Sequence, residues 1–328
     1  MRSSLRFVSR PIAATVLAVA LLAAVPAGPA GAAPHRWTLV RPGLASPPRA
    51  AVAIAYDPIS RDVVTFGGYD DTGAYSDQTW IWDGTEWAQP IVQTPPPARA
   101  SASMAYDATL RKIVLFGGYD GSQYFGDTWL WDGATLSWTQ AHPAHHPTAV
   151  TGPAVFPDPL TGHVETFGGF DGRLFQNQTW QWTGSDWVQL QPGVEPGARG
   201  SAIAELDRAN HTVVLFSGLG DLNVYDTWTW DGTTWTHRSP AHQPPSRFYS
   251  SSAYAPSLRG VVIFGGGSGF GDLNDTWAWT GTDWHELDAG TPPAPRESQA
   301  MAYDPVMGRA IMFGGQVSGH VVADTWSL

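Results

Sequence analysis

The chain has 328 residues, with 18 basic against 29 acidic, 17 tryptophans, 36 glycines, 27 prolines and no cysteine. The acidic balance argues against nucleic acid or an anionic membrane surface as a partner. The lack of cysteine excludes disulfides, thiol catalysis and cysteine-based metal sites.

Residues 1–32 read as a secretory signal peptide. Arg2, Arg6 and Arg10 stand without an acid, an apolar run covers 12–25, and Ala30-Gly31-Ala32 offers a cleavage site. The apolar run is short for a transmembrane span. Removing this segment lowers the basic count from 18 to 15 against the same 29 acids, and the net charge from −11 to −14. The expectation is an exported protein, periplasmic or extracellular, with no membrane insertion once the signal is cleaved. Residues 33–328 then form one domain, expected to be monomeric.

Residues 36–40, Arg36-Trp37-Thr38-Leu39-Val40, read as a strand without a neighbour in sequence. A repeating phrase follows. Phe-Gly-Gly begins at Phe66, Phe116, Phe167, Phe216 (as Phe-Ser-Gly), Phe264 and Phe313. A Thr-Trp element follows each, at Trp80, Trp129, Trp180, Trp228, Trp277 and Trp326. Six copies at 48 to 51 residues predict a β-propeller.

The first copy shows the unit. Residues 51–56 alternate small and large, as an innermost strand a, crowded at the propeller axis, requires. Residues 57–62 form a turn. Residues 63–66 are the apolar strand b, closed by Gly67-Gly68, and such a run suits a sheet covered on both faces. A loop over 69–77 leads to strand c at 79–82. Asp83-Gly84 predicts a tight hairpin into strand d at Trp87. Pro95-Pro96-Pro97 links to the next copy. The paired tryptophans of strands c and d read as packing between blades.

Internal copies open strand d at Trp87, Trp138, Trp187, Trp235 and Trp284, whereas the sixth stops at Leu328 without one. Residues 36–40 supply the missing strand. The fold expected is therefore all-β: a six-bladed propeller of four antiparallel strands per blade, closed by the N-terminal strand.

The Gly-Gly pair after an apolar strand, the aromatic strand c and the tryptophan opening strand d resemble kelch repeats over essentially all of 33–328. The resemblance implies a kelch-type propeller. That family includes protein-interaction modules, a copper radical oxidase acting on sugars and a sialic-acid epimerase, so the fold alone does not fix function. The oxidase's copper site uses a tyrosine cross-linked to cysteine. With no cysteine here, galactose oxidase activity is disfavoured and the likeness to its propeller is one of fold.

A site is expected on the face that collects the b–c loops, which vary most between copies, and the starts of strand a. Arg49, Arg99, Arg199, Arg247 and Arg296 each stand 17 residues before their phenylalanine; the third copy has Thr148-Ala149 there. Two readings stand open. The arginines ring the channel mouth and hold carboxylates or acidic sugars, or they pair with Asp127, Asp226, Asp275 and Asp324. The second set on this face is aromatic and acidic: Tyr69, Asp70, Asp71, Tyr75, Tyr119, Asp120, Tyr124, Phe125, Phe170, Asp171, Phe175, Tyr225 and Phe270. It suits a protein or glycan ligand, or it anchors the loops, with Asp-Gly as a turn.

His142, His145 and His146 form a weak metal candidate on a proline-broken link without a placed carboxylate; no metal or other cofactor is expected. Asp57-Pro58, Asp158-Pro159 and Asp304-Pro305 read as turns at the a–b corners. No phosphate loop, nucleophile elbow or H-E-x-x-H motif occurs. The leading reading is an exported protein- or carbohydrate-binding module. The alternative is a sugar-active enzyme, an epimerase, hydrolase or lyase on an acidic sugar, using the arginines with an acid such as Glu297 or Asp272. Glu205 interrupts an otherwise Ala-Tyr-Asp pattern, but it falls near the end of strand a, toward the opposite face.

Overall fold

The computed structural model describes residues 35–220 and 224–328; the signal-peptide reading of 1–32 lies outside them. Every regular element described is a β-strand. Six four-stranded antiparallel sheets run a-b-c-d from the centre outward. Blade 1 comprises Ala53–Asp57, Asp62–Phe66, Thr79–Trp82 and Trp87–Ala88. Blade 2 comprises Ser103–Asp107, Lys112–Phe116, Thr128–Asp132 and Ser137–Ala141. Blade 3 comprises Ala154–Pro157, Val164–Phe167, Thr179–Trp182 and Trp187–Gln189. Blade 4 comprises Ile203–Asp207, Thr212–Phe216, Thr227–Trp230 and Trp235–Arg238. Blade 5 comprises Ser251–Ala255, the long pair Gly260–Ser268 and Gly271–Trp279, and Trp284–Glu286. Blade 6 takes strands a to c from Ala300–Asp304, Arg309–Phe313 and Thr325–Ser327, and its strand d is Thr38–Val40.

The closing strand pairs Leu39 with Trp326. It is two residues shorter than the 36–40 expected, because the Trp37 backbone N–H turns aside to the Ala289 carbonyl, 3.0 Å away. Each strand a touches those of both neighbours, blade 6 meeting blade 1 again, so the ring is closed around a central channel.

The strand-d tryptophans hold the blades together by one repeated contact. Each indole N–H donates to a threonine hydroxyl at the start of the preceding blade's strand c. The pairs are Trp138 to Thr79, Trp187 to Thr128, Trp235 to Thr179, Trp284 to Thr227, Trp37 to Thr276 and Trp87 to Thr325, all at 2.8–3.0 Å. Each ring also packs against the phenylalanine before the preceding blade's glycine turn, as Trp37 does on Phe264 at 4.8 Å. A bond of this kind contributes about 1 kcal/mol and the buried indole several times that. Trp37 thus does for blade 6 what its five counterparts do elsewhere.

A second ring lies at the channel end beside the b–c loops. One residue per blade, two before strand a, adopts a left-handed backbone: Ala51, Ser101, Gly152, Ser201, Tyr249 and Ser298, with φ of 52–60°. Their backbone N–H groups bond in blade order, Ser101 to Ala51, Gly152 to Ser101, Ser201 to Gly152, Tyr249 to Ser201 and Ser298 to Tyr249. Ala51 bonds back to Ser298 and completes the collar, with distances of 2.7–3.3 Å. Five of the six are not glycine, so the collar holds strain of order 1 kcal/mol per residue that the circular bonding offsets. The Gly-Gly turns meet a stricter demand. A Cβ at Gly67 would stand 2.3 Å from the Arg99 carbonyl oxygen, because the turn packs against the next blade's link.

Candidate functional site

The arginines come first, since their position relative to the collar decides what they can do. Arg99, Arg199, Arg247 and Arg296 are buried, turned into their blades two residues before the collar. Arg99 holds Asp127 through two bonds of 2.5 and 2.9 Å, Arg247 holds Asp275 at 2.8 and 2.7 Å, and Arg296 holds Asp324 at 2.6 and 2.8 Å. Arg199 reaches Asp226 at 2.6 Å. Each guanidinium also donates to a carbonyl two residues earlier and to one in the Gly-Gly turn, as Arg99 does to Pro97 and Gly117. The aspartate's second oxygen accepts the strand-c indole N–H, for example Trp129 to Asp127 at 2.7 Å. Desolvation of Asp127 is outweighed by Arg99, so its pKa lies below the usual carboxylate value. The pairing reading is the one the geometry takes: the rigid fork of arginine binds a link, a turn and strand c at once.

The two remaining copies follow the same logic. Blades 1 and 3 carry glutamine, Gln78 and Gln178, in place of the aspartate. In blade 3 the arginine position is taken by Val150 rather than Thr148 or Ala149, since Val150 makes the same carbonyl bond to the preceding Gly-Gly turn as Arg99. In blade 1, Arg49 has no such partner. It is half-buried on the b–c face, bonds the Pro48 carbonyl and lies 3.7 Å from Asp70.

The aromatic set divides in two. Tyr69, Tyr75, Tyr119, Tyr124, Phe170 and Phe175 form one continuous arc across blades 1 to 3, with successive ring centroids 6.4, 6.2, 4.7, 6.2 and 4.9 Å apart. The register explains it. The residue after each Gly-Gly bridges to the residue before the collar and to a second loop residue, as in Ala50↔Tyr69↔Tyr75. Blades 1 to 3 put aromatics at both positions; at the first, blades 4 to 6 put Leu219, Gly267 and Gln316. All six rings of the arc are half-buried. Phe125, by contrast, is buried beneath the Arg99 guanidinium, 3.7 Å away. Tyr225 and Phe270 stand apart from the arc, and Phe270, at the tip of the blade 5 hairpin, is fully exposed.

Asp70, Asp120 and Asp171 brace these loops. Asp120 accepts the backbone N–H groups of Ser122 and Gln123, both at 2.8 Å. Its desolvation is outweighed by those donors, and its pKa is lowered to about 2. Asp70 and Asp171 accept in the same way from Thr72 and Ala74, and from Arg173 and Leu174. Asp71 accepts the Val321 N–H at 2.6 Å and ties blade 1 to blade 6. Asp57, Asp158 and Asp304 cap their a–b turns as expected of turn residues.

Glu297 and Asp272 are neighbours on the b–c face, and burial together with the Asp272 charge raises the Glu297 pKa. The histidines do not converge. His145 pairs with Asp186 at 2.7 Å and His146 faces the Pro147 carbonyl. Among the described residues, no group of three or more His, Cys, Asp or Glu side chains is placed to hold a metal.

Two further acids stand out, of which Glu165 was not singled out in the sequence. Glu205 borders a cavity of about 620 Å³ at the opposite end of the channel, and burial pushes its pKa up to about 7. Glu165 stands in strand b of blade 3, where the other copies have valine or isoleucine. It is fully buried and accepts the Trp230 indole N–H at 2.6 Å. Burial, aided by the Asp158 charge, raises its pKa to about 9. The interruption of an apolar run, Val164-Glu165-Thr166-Phe167, was the available signal.

A family model described as the KLHDC2/KLHL20/DRC7 Kelch-repeats domain matches residues 33–192. Comparison with curated proteins gives no significant match. The matched stretch spans the closing strand and blades 1 to 3, and blades 4 to 6 repeat the same register, tryptophan contacts and collar. The described chain is thus a six-bladed β-propeller, of which residues 33–192 match the kelch-repeat model.

Proposed function

We propose that this kelch-repeat propeller is an exported binding module that recognises a protein or glycan through its b–c loop face. The observation that carries the reading is the aromatic arc from Tyr69 to Phe175. It is confined to half of the ring, rests on loops braced by buttressing aspartates, and adjoins Arg49, whose strand-c aspartate is replaced by Gln78. Flat aromatic faces with hydrogen-bonding rims suit sugar rings and extended peptides alike, and rigid aromatics give contact area at low entropic cost. Export rests on the pattern of residues 1–32.

The test is a screen of residues 33–328 on glycan and peptide arrays beside a Tyr75→Ala/Tyr124→Ala variant whose melting curve matches the parent. The reading expects a ligand bound by the parent and weakened at least tenfold in the variant. Equal binding by both, or no ligand of either class, contradicts it. The proximity of Glu297 and Asp272 on this face supports a second reading, turnover of a bound sugar by a pair of carboxyl groups. Hydrolysis or epimerisation of the captured glycan, abolished in Glu297→Gln, is its test.

A further inference from the structure

The collar bounds the channel at the b–c face, and the 620 Å³ cavity lies at the other end, beside the a–b turns. That volume fits a small molecule. Tyr56, Tyr106, Phe156, Leu206, Tyr254 and Tyr303, one from each blade, are among the residues lining it. Burial raises the hydroxyl pKa values of Tyr56, Tyr106 and Tyr303.

Blade 4 places two charged side chains, Glu205 and Arg208, in this wall. At the level of Glu205 the other blades place Ala55, Ala105, Phe156, Ala253 and Ala302. At the level of Arg208 they place Pro58, Ala108, Pro159, Pro256 and Pro305. Asp158 also borders the cavity, but its oxygens are engaged by Leu160, Thr161 and Gln181. Among the described residues, the Glu205 carboxylate has no ion pair. Burial opposes its ionised form, and only the exposed, more distant Arg208 and the Leu206 backbone N–H favour it. A half-buried carboxylate bordering a largely apolar cavity, at the place of a repeated alanine, costs free energy unless it is protonated or paired.

We propose that this cavity binds a small organic cation, an alkyl or methylated ammonium on an apolar body, with Glu205 as its counter-ion and the tyrosine faces around it. The carboxylate supplies the charge-assisted bond, the ring faces supply cation–π attraction and the apolar wall takes the hydrocarbon. Arg208 sits at the rim, where solvent screens its repulsion. The site is independent of the b–c face.

The experiment titrates cyclohexylamine, a cation at pH 8, and its neutral counterpart cyclohexanol into the full chain, followed by calorimetry and by change in melting temperature. Glu205→Gln and Glu205→Ala are measured in parallel. Glu205→Ala installs the residue that four other blades carry at this level, so its folding is secure. The expected result is saturable amine binding to the parent, at least tenfold weaker in both variants, and no preference for amine over alcohol once Glu205 is gone. Failure of the amine to bind the parent, or equal binding by parent and variants, overturns the proposal.

Discussion

Replacing Glu165 by glutamine should remove a large pH dependence from the stability of the propeller. The side chain lies between blades 3 and 4, fully buried, and accepts from Trp230 and, at 3.3 Å, from Gln181. Its pKa rises from 4.5 in the unfolded chain to about 9 in the fold, by burial first and the Asp158 charge second. Between those values the native state keeps a proton that the unfolded state releases. The native state therefore binds more protons, and stability falls as pH rises. The contribution is intact below about 4.5, declines by about 1.4 kcal/mol per pH unit and levels off above about 9. Between pH 5 and pH 8 the loss is about 4 kcal/mol. Glutamine keeps an oxygen for the Trp230 N–H and carries no charge. The Glu165→Gln protein should therefore gain on the parent by about 4 kcal/mol over that range. Urea denaturation of both proteins at four pH values from 5 to 8 measures the difference, in which the titrations of groups not coupled to Glu165 cancel. A gap between the two proteins that does not change with pH refutes the reasoning.

Three further outcomes follow from the contacts described. Trp37→Phe should cost about 1 kcal/mol for the lost bond to Thr276. Trp37→Ala should cost about 3–5 kcal/mol, matching Trp138→Ala in an internal blade; denaturant melts check both, and a neutral Trp37→Ala contradicts the closure. Arg247→Ala should destabilise by about 3 kcal/mol by removing a buried guanidinium and leaving the half-buried Asp275 only its Trp277 bond, whereas Arg49→Ala should cost less than about 1 kcal/mol, because its nearest acid is 3.7 Å away at the surface. Thermal unfolding of the pair separates a scaffold arginine from a free one. Ser201→Gly should raise stability by up to about 1 kcal/mol by relieving its φ of 52°, and a clear loss in the same melts contradicts the strain assigned to the collar.

Much of the architecture was legible because it repeats. Six correlated Phe-Gly-Gly and Thr-Trp elements give the blade number, and the count of strand-d tryptophans points to Trp37 as the closing one. The site was less legible, because the same arginine spacing serves a ligand ring or a structural staple. Only the positions of Asp127, Asp226, Asp275 and Asp324 relative to the blade interior separate the two. The substitution of Gln78 and Gln178 in the copies whose arginine is unpaired or absent was a readable sign of that pairing. The collar was not readable, since alanine, serine and tyrosine carry no sequence signature of a left-handed backbone. Glu205 falls near the far face in sequence, and that is where the structure has a cavity of about 620 Å³. The aromatic arc depends on which loop residues bridge back to strand a, a matter of register rather than composition.

The central claim is that the b–c loops of blades 1 to 3 form the recognition face. Hydrogen exchange of the parent protein, with and without the ligand captured in the array screen, tests it most directly. The account predicts slowed exchange confined to loops 69–76, 119–125 and 170–176, with the a–b turns unchanged. Protection confined to the a–b turns, or to the loops of blades 4 to 6, would contradict it.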